Sequence, residues 1–296
     1  MKVLVITGDT KFGPGHERYE LQRSVVDELR IVYWGRGNLW PSIPPGQFDV
    51  VTVQDPFWRG LFGWWVSKRI NAKFNVQVHT DLSVYTGMRR MLARIVLRHA
   101  DSIRVVSNKI KSQVERVGVR ASVSVLPVYV DVSKFSTVVR RDHVSKNILW
   151  IGRFEEEKNP LQAIEVLKDV LKVEPAAKLI MLGKGSLERQ MRAKATHLPI
   201  ELPGWQDPAR FLDTADVVLS TSVHESWGAS IVEALAAGVP VVAPDVGSAK
   251  EAGAIVMPRN KLAEGVVTVL KEGAKGALLL KMPAKEEWAQ KWKESL

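Results

Sequence analysis

The chain has 296 residues, 46% of them hydrophobic and 25% charged, which is enough for two domains of ordinary size, each with its own core. It contains no cysteine, which excludes disulfides and thiolate metal sites. Its net charge of +10 is uneven: residues 1–146 carry 23 Lys and Arg against 12 Asp and Glu, whereas residues 147–296 carry 19 against 20. That imbalance points to an acidic partner for the first half, such as an anionic membrane surface, a phosphorylated acceptor or nucleic acid, unless that half is simply a basic soluble domain.

Short apolar runs alternate with helical patterns along the whole chain. Strands are predicted at 1–7, 29–34, 49–53, 74–79, 102–107 and 122–127, and again at 147–151, 178–182, 199–202, 217–219, 240–243 and 254–257. Repeated β-α alternation implies an α/β fold with two parallel, doubly wound sheets. The polar stretch 138–146 reads as a linker, giving domains of 1–141 and 142–284. Residues 286–296 form a short helix with Trp288 and Trp292 on one face. That helix either crosses back onto the first domain or caps the second. No apolar run approaches the ~20 residues of a membrane helix and no signal peptide is evident, so the expected location is cytoplasmic, soluble or peripheral on the inner face of the membrane.

The segment from 218 to 246 carries the most chemistry. A buried strand at 217–219 leads through a loop at 224–228 into a helix at 229–237, closed by Gly238. Ligands collect beyond the carboxyl ends of such strands, where helix amides are free. Glu225 lies in that region, and Glu233, one to two turns into the helix, leans back toward it. Two carboxylates with free amides between them suit a polyol bearing phosphates; the alternative is two solvated surface carboxylates. This segment resembles the E-x7-E signature of retaining glycosyltransferases of family 4, matching at Glu225, Gly228, Glu233, Ala234, Gly238, Pro240 and Val241. The resemblance implies the GT-B arrangement, two Rossmann-like domains with parallel sheets facing across a cleft.

Other elements extend the resemblance. Arg153 and Lys158, five apart beyond a strand end, are able to clamp a diphosphate, and they resemble the family's G-R-x-x-x-x-K element. Gly183 and Gly185 form a turn similar to the element near the nucleotide base. Trp205 sits in a block whose backbone meets the base edge in the family, or else is core. Gly13 and Gly15 look like the family's glycine loop with Pro14 interrupting the glycine pair. His79, in His-Thr-Asp81, resembles the H-x-D element whose histidine faces the sugar. Ser107 and Asp131 resemble later blocks, although Val128-Tyr129 replaces the usual Asn-Gly before Asp131.

The resemblance implies transfer of a hexose from a nucleotide diphosphate sugar to an acceptor hydroxyl with retention of anomeric configuration, in cell-envelope glycan or glycolipid synthesis. By it, Glu233 holds the ribose, and Glu225 with the amides of Trp227, Gly228 and Ala229 holds the hexose. The amides of Ser230 and Ile231 hold phosphate, and Arg153 and Lys158 stabilise the leaving diphosphate. Asp-x-Asp is absent, so no metal and no cofactor beyond the nucleotide sugar co-substrate are expected. The acceptor, whether glycan, lipid-linked sugar or small molecule, is not fixed by the sequence. Aromatics and bases at 57–69, and Arg90, Arg94 and Arg98 in 88–99, fit an anionic membrane surface, or else a sheet-packed helix with a solvated arginine row. A sugar-nucleotide epimerase of the same fold and a non-catalytic sugar-nucleotide-binding or membrane-docking subunit are the alternatives; no nucleic-acid motif accompanies the charge.

Overall fold

The computed structural model describes residues 1–35, 41–141 and 143–296. The first unit, residues 1–129 with 283–296, runs β1 (Lys2–Thr7), α1 (Glu17–Arg23), β2 (Glu28–Tyr33), β3 (Val50–Val53), α2 (Trp58–Ile70), β4 (Lys73–Val78), α3 (Gly87–Arg98), β5 (Ser102–Val105), α4 (Asn108–Glu115) and β6 (Ser122–Val125). Its six strands are all parallel, in the order β2-β1-β3-β4-β5-β6. Val50–Val53 is buried throughout and Lys2–Thr7 along all but its first residue, as expected of parallel strands covered on both faces.

The second unit, residues 130–282, runs α5 (Val132–Ser136), β7 (Lys146–Ile151), α6 (Pro160–Leu171), β8 (Ala177–Leu182), α7 (Glu188–Ala195), β9 (Ile200–Gly204), α8 (Ala209–Leu212), β10 (Val217–Leu219), α9 (Ala229–Ala236), β11 (Val241–Ala243), α10 (Ala249–Ala252), β12 (Ile255–Val256) and α11 (Leu262–Glu272). Its sheet is also parallel, ordered β12-β11-β10-β7-β8-β9. α6 and α11 bury Ile164, Leu167, Val266 and Leu270 against Ile148, Leu179 and Leu219, which forms the main core of this unit. The order jumps from β10 to β7, so the crevice beyond those two strands is where ligands gather in such sheets.

The chain passes between the units at Tyr129–Val130 and not within 138–146. α5 already packs on α9. The charged stretch after it is tied to the second unit by Arg140 Nη1 donating to the Leu212 carbonyl at 2.7 Å, by the Arg141 amide on the Asp213 carbonyl at 2.9 Å, and by an Arg141–Asp213 ion pair. Charge made this stretch look like a linker because its carboxylate partner lies some seventy residues on. Asp142, the first residue of the expected second domain, lies outside the described residues.

The last helix, α12 (Lys285–Glu294), belongs to the first unit. Trp288 and Trp292 are fully buried among Val3, Val5, Leu21 and Leu126. The Trp288 indole donates to the Pro127 carbonyl at 2.8 Å, and the Arg104 guanidinium stands 5.3 Å over its ring. Asn75 Nδ2 donates to the Ser295 carbonyl at 2.7 Å, which fixes the helix end beside β4. Among the described residues, no helix is long and apolar enough to cross a membrane.

Candidate functional site

Glu225 and Lys158 meet in the second unit. The loop after β7 turns through a short 3₁₀ segment, Glu156–Lys158, before α6, and the loop after β10 runs beside it. Thr221 joins them: its hydroxyl donates to the carbonyls of Lys158 and Asn159 and accepts from the buried Trp150 indole at 2.9 Å. Lys158 Nζ then donates to Glu225 Oε1, which also accepts from Ser222 Oγ at 2.8 Å. Both charged side chains are mostly buried, with 21% and 11% exposure. Arg153 lies on the same loop but is 67% exposed and bonded to Glu157.

Arg259 was not singled out by its sequence context, yet it anchors this loop. Its guanidinium donates to the carbonyls of Thr221, Ser222 and Val223 at 3.1, 2.6 and 2.7 Å. Only its place just beyond β12 hinted at a site role.

Gly228, at φ 93°, caps α9 in the left-handed region, a conformation that side-chain-bearing residues rarely adopt. It turns the chain so that the first-turn amides of Ala229 and Ser230 have no helical partner. The Ile231 amide instead bonds the Gly228 carbonyl at 3.0 Å, so its expected phosphate contact is not open in this arrangement. Trp227 is buried, and its carbonyl accepts from the Ser248 amide and hydroxyl, which fixes the loop between the two glutamates.

Glu233 is partly buried, and burial pushes its carboxyl up to about 7; Lys134 opposes that shift and Asp207 adds to it. Lys134 is held by Asp207 at 2.8 and 3.0 Å. Neither residue was legible as a neighbour of Glu233, because α5 reaches α9 only through the fold.

Gly183 and Gly185 follow β8, and their glycine requirement has a local cause. A Cβ on Gly183 would lie 1.9 Å from the Gly152 carbonyl oxygen, and one on Gly185 would lie 2.5 Å from that of Phe154. The close approach these residues permit is to the Arg153 loop. Ser186 further binds Glu155 through its amide and hydroxyl. Trp205, after β9, is 58% exposed and is therefore not core.

In the first unit, His79 follows β4. Gln77 Oε1 accepts from Arg104 Nη1 at 2.7 Å, while Gln77 Nε2 donates to Thr52 Oγ1 at 2.8 Å. That orientation leaves Gln77 Oε1 to accept from His79 Nε2, 3.4 Å away. Burial, with the charges of Arg104 and Arg18, holds the imidazole pKa well below its usual 6.5, so His79 is neutral at pH 7 and Nδ1 is left as an acceptor with no hydrogen-bond partner among the described residues. His79 and Thr80 line a cavity of about 480 Å³ with Trp34, Trp58, Arg59 and Tyr85. In the glycine loop, the Gly15 amide donates to Glu20 Oε1 at 2.8 Å, and Gly13 lies against the Tyr33 hydroxyl. A carboxylate of the chain itself thus occupies the amide expected to meet ligand oxygens. Asp81, Ser107 and Asp131 each cap the helical turn that follows.

The aromatic segment 57–69 largely faces the sheet. Phe62 and Val66 are buried in α2, whereas Trp58 and Trp65 are exposed. On α3, Leu92, Ala93, Val96 and Leu97 are buried, and Met88, Met91, Arg90 and Arg94 are exposed. Arg98 leaves the expected arginine row: its Nε and Nη2 donate to the Val117 carbonyl at 3.1 and 2.9 Å.

Two family models together match most of the chain: "Glycosyltransferase Family 4" over residues 1–134 and "Glycosyl transferases group 1" over 145–272. The chain belongs to the family 4 glycosyltransferases. It is 23% identical over 247 residues to the alpha-monoglucosyldiacylglycerol synthase of Streptococcus pneumoniae, covering 73% of this chain and 56% of that one. It is 30% identical over 212 residues to the phosphatidyl-myo-inositol mannosyltransferase of Mycobacterium tuberculosis, covering 64% and 54%. The chain spans about half the length of the curated relatives it matches. Among solved structures, sucrose-phosphate synthase from Thermosynechococcus elongatus superposes with a TM-score of 0.73 at 14% identity, over 100% of this chain and 95% of that one. The Anabaena protein HepE in complex with UDP-glucose gives the same values. At these identities the likeness concerns the fold, and the fold of this family 4 chain is GT-B.

Proposed function

We propose that this family 4 chain transfers a hexose from a nucleotide diphosphate sugar to an acceptor hydroxyl with retention of anomeric configuration. One observation carries the reading: Glu225 and Lys158 are joined at the entrance to α9, with free amides and Glu233 on the same helix. An ammonium has three protons, so Lys158 keeps two for diphosphate oxygens while the third stays on Glu225. As the anomeric bond breaks, negative charge grows on those oxygens, and a cation held in place stabilises it most at that moment. Arg153, released from Glu157, adds a second cation. Glu225, with Oε2 outside this pair, accepts from hexose hydroxyls, and Glu233 accepts from the ribose.

His79, neutral with Nδ1 unprotonated, accepts from a sugar or acceptor hydroxyl in the first unit. The leaving phosphate takes the acceptor proton on the same face. Lysine, arginine and helix amides supply the electrophilic assistance, so no metal is required in this scheme.

Two of the relatives carry a lipid in their names, a glucosyldiacylglycerol and phosphatidyl-myo-inositol. In keeping with that, exposed Met88 and Met91 beside Arg89, Arg90 and Arg94 give α3 the composition of a helix lying on an anionic lipid surface. A thermal-shift screen against UDP, GDP and ADP sugars, followed by transfer assays with lipid and soluble acceptors, tests the reading. Donor binding with neither hydrolysis nor transfer would favour a non-catalytic binding subunit.

A further inference from the structure

A second cavity of the first unit, about 260 Å³, lies between α3 and the end of α4, and arginines from both sides line it. Arg90 and Arg94, four apart, come from one side, and Arg116, at the end of α4, comes from the other. Arg98 sets this geometry. Its two bonds to the Val117 carbonyl fasten the end of α3 to the turn that carries Arg116. Among the described residues, none of the three lining guanidiniums has a hydrogen-bond or ion-pair partner.

The nearby carboxylates are already engaged. Asp81 Oδ1 accepts from the Ser83 amide at 3.0 Å, the Ser83 hydroxyl at 2.5 Å and Gln113 Nε2 at 2.8 Å, and Lys109 approaches its other oxygen at 3.9 Å. Glu115 stands 3.9 Å from Lys111. Three cations lining one cavity raise one another's energy, and a bound anion reverses that penalty. Guanidinium forks match phosphate oxygens in pairs, and three forks offer more donors than one carboxylate can accept. We propose that this cavity binds the phosphate of a phosphate mono- or diester.

The volume exceeds the share of several waters, at about 30 Å³ each, so it admits the phosphate with part of the group attached to it. Tyr85 lines this cavity and also the one containing His79 and Thr80, and its hydroxyl lies 2.9 Å from Thr80 Oγ1. A hydroxylated group esterified to the bound phosphate is therefore directed past Tyr85 toward His79. This last step rests on the reading of His79 as facing sugar or acceptor; binding of the phosphate itself does not.

The test is thermal unfolding of the full chain titrated with inorganic phosphate, in the wild type, the Arg94→Gln/Arg116→Gln double variant, Lys158→Gln, and Arg120→Gln as a control for lost surface charge. The expected result is a saturable rise in Tm in the wild type, R120Q and K158Q, with affinity reduced at least about tenfold in the double variant. Sedimentation with phosphatidylcholine vesicles, with and without phosphatidylglycerol, separates a lipid phosphate from a free one. Loss in the double variant of any preference for the phosphatidylglycerol vesicles marks a headgroup site, and an unaltered preference marks a soluble ester. The proposal is overturned if the double variant keeps the phosphate response, if the response is lost only in K158Q, or if the wild type shows none. UDP binding, followed in parallel, reports separately on the donor site: its absence in every protein would sink the donor reading and leave the phosphate result standing.

Discussion

Lys158 donates to the same carboxylate oxygen of Glu225 that accepts from Ser222, so the cation expected to meet phosphate and the acid expected to meet sugar form one hydrogen-bonded unit. Donor binding therefore needs no long search by either side chain. Glu225→Ala should lower kcat/KM by about a hundredfold or more if the proposed sugar contact is real, since it removes that contact and releases the cation. Its Tm should fall modestly, because the mostly buried Lys158 loses its partner but keeps partial access to water. Initial rates and thermal unfolding on one preparation check both halves; wild-type-like turnover would reject the assignment.

Lys158→Ala should weaken UDP-sugar binding and also slow the chemical step, by roughly 2–4 kcal/mol together. Single-turnover kinetics separate the two effects. An unchanged dissociation constant and rate would remove Lys158 from the phosphate site.

Glu233 gives stability a pH dependence of definite sign. Its folded-state pKa is raised to about 7 from 4.5, so between those values the native state binds more protons than the unfolded chain, and stability falls as pH rises. The penalty is absent below pH 4.5 and complete above about 7, where it is roughly 3 kcal/mol. Glu233→Gln should thus raise Tm at pH 8 and leave it nearly unchanged at pH 4, while weakening UDP-sugar binding. Parallel melting curves across that range, with no divergence between variant and wild type, would contradict the burial argument.

If lysine, arginine and helix amides carry the leaving-group charge, a chelator should leave the transfer rate intact. A loss restored by added magnesium would refute metal independence.

Trp288→Ala should destabilise the protein by about 3–5 kcal/mol, through loss of a fully buried indole and exposure of a cavity beside Arg104. Trp288→Phe should cost less, because the Pro127 carbonyl still accepts from Arg104 Nη2 at 3.0 Å. Denaturant midpoints for the two variants give the comparison.

Much of this architecture was legible because parallel strands buried on both faces leave runs such as Val217–Leu219 that few other structures explain. The turn at Gly228 was legible for a similar reason, since one backbone conformation demanded one residue type. Partnerships across the fold were not. Nothing near Lys134 in sequence announces Asp207 or Glu233, and nothing near Gly15 announces that Glu20 would take its amide. The arginine spacing on α3 predicted a single row, but Arg98 turned to a backbone carbonyl, and Arg116, at the end of α4, joins Arg90 and Arg94 in lining one cavity. Periodicity describes one helix at a time, and that cavity needs two.

The return of α12 to the first unit makes the two halves unequal as objects for dissection. Residues 130–282 form one uninterrupted piece of chain. A fragment ending at Tyr129, by contrast, would lack both buried indoles and present Val3, Val5, Leu21 and Leu126 to water. The first unit should therefore be recovered soluble only when residues 283–296 are supplied, either by a short splice after Tyr129 or as a separate peptide that complements it.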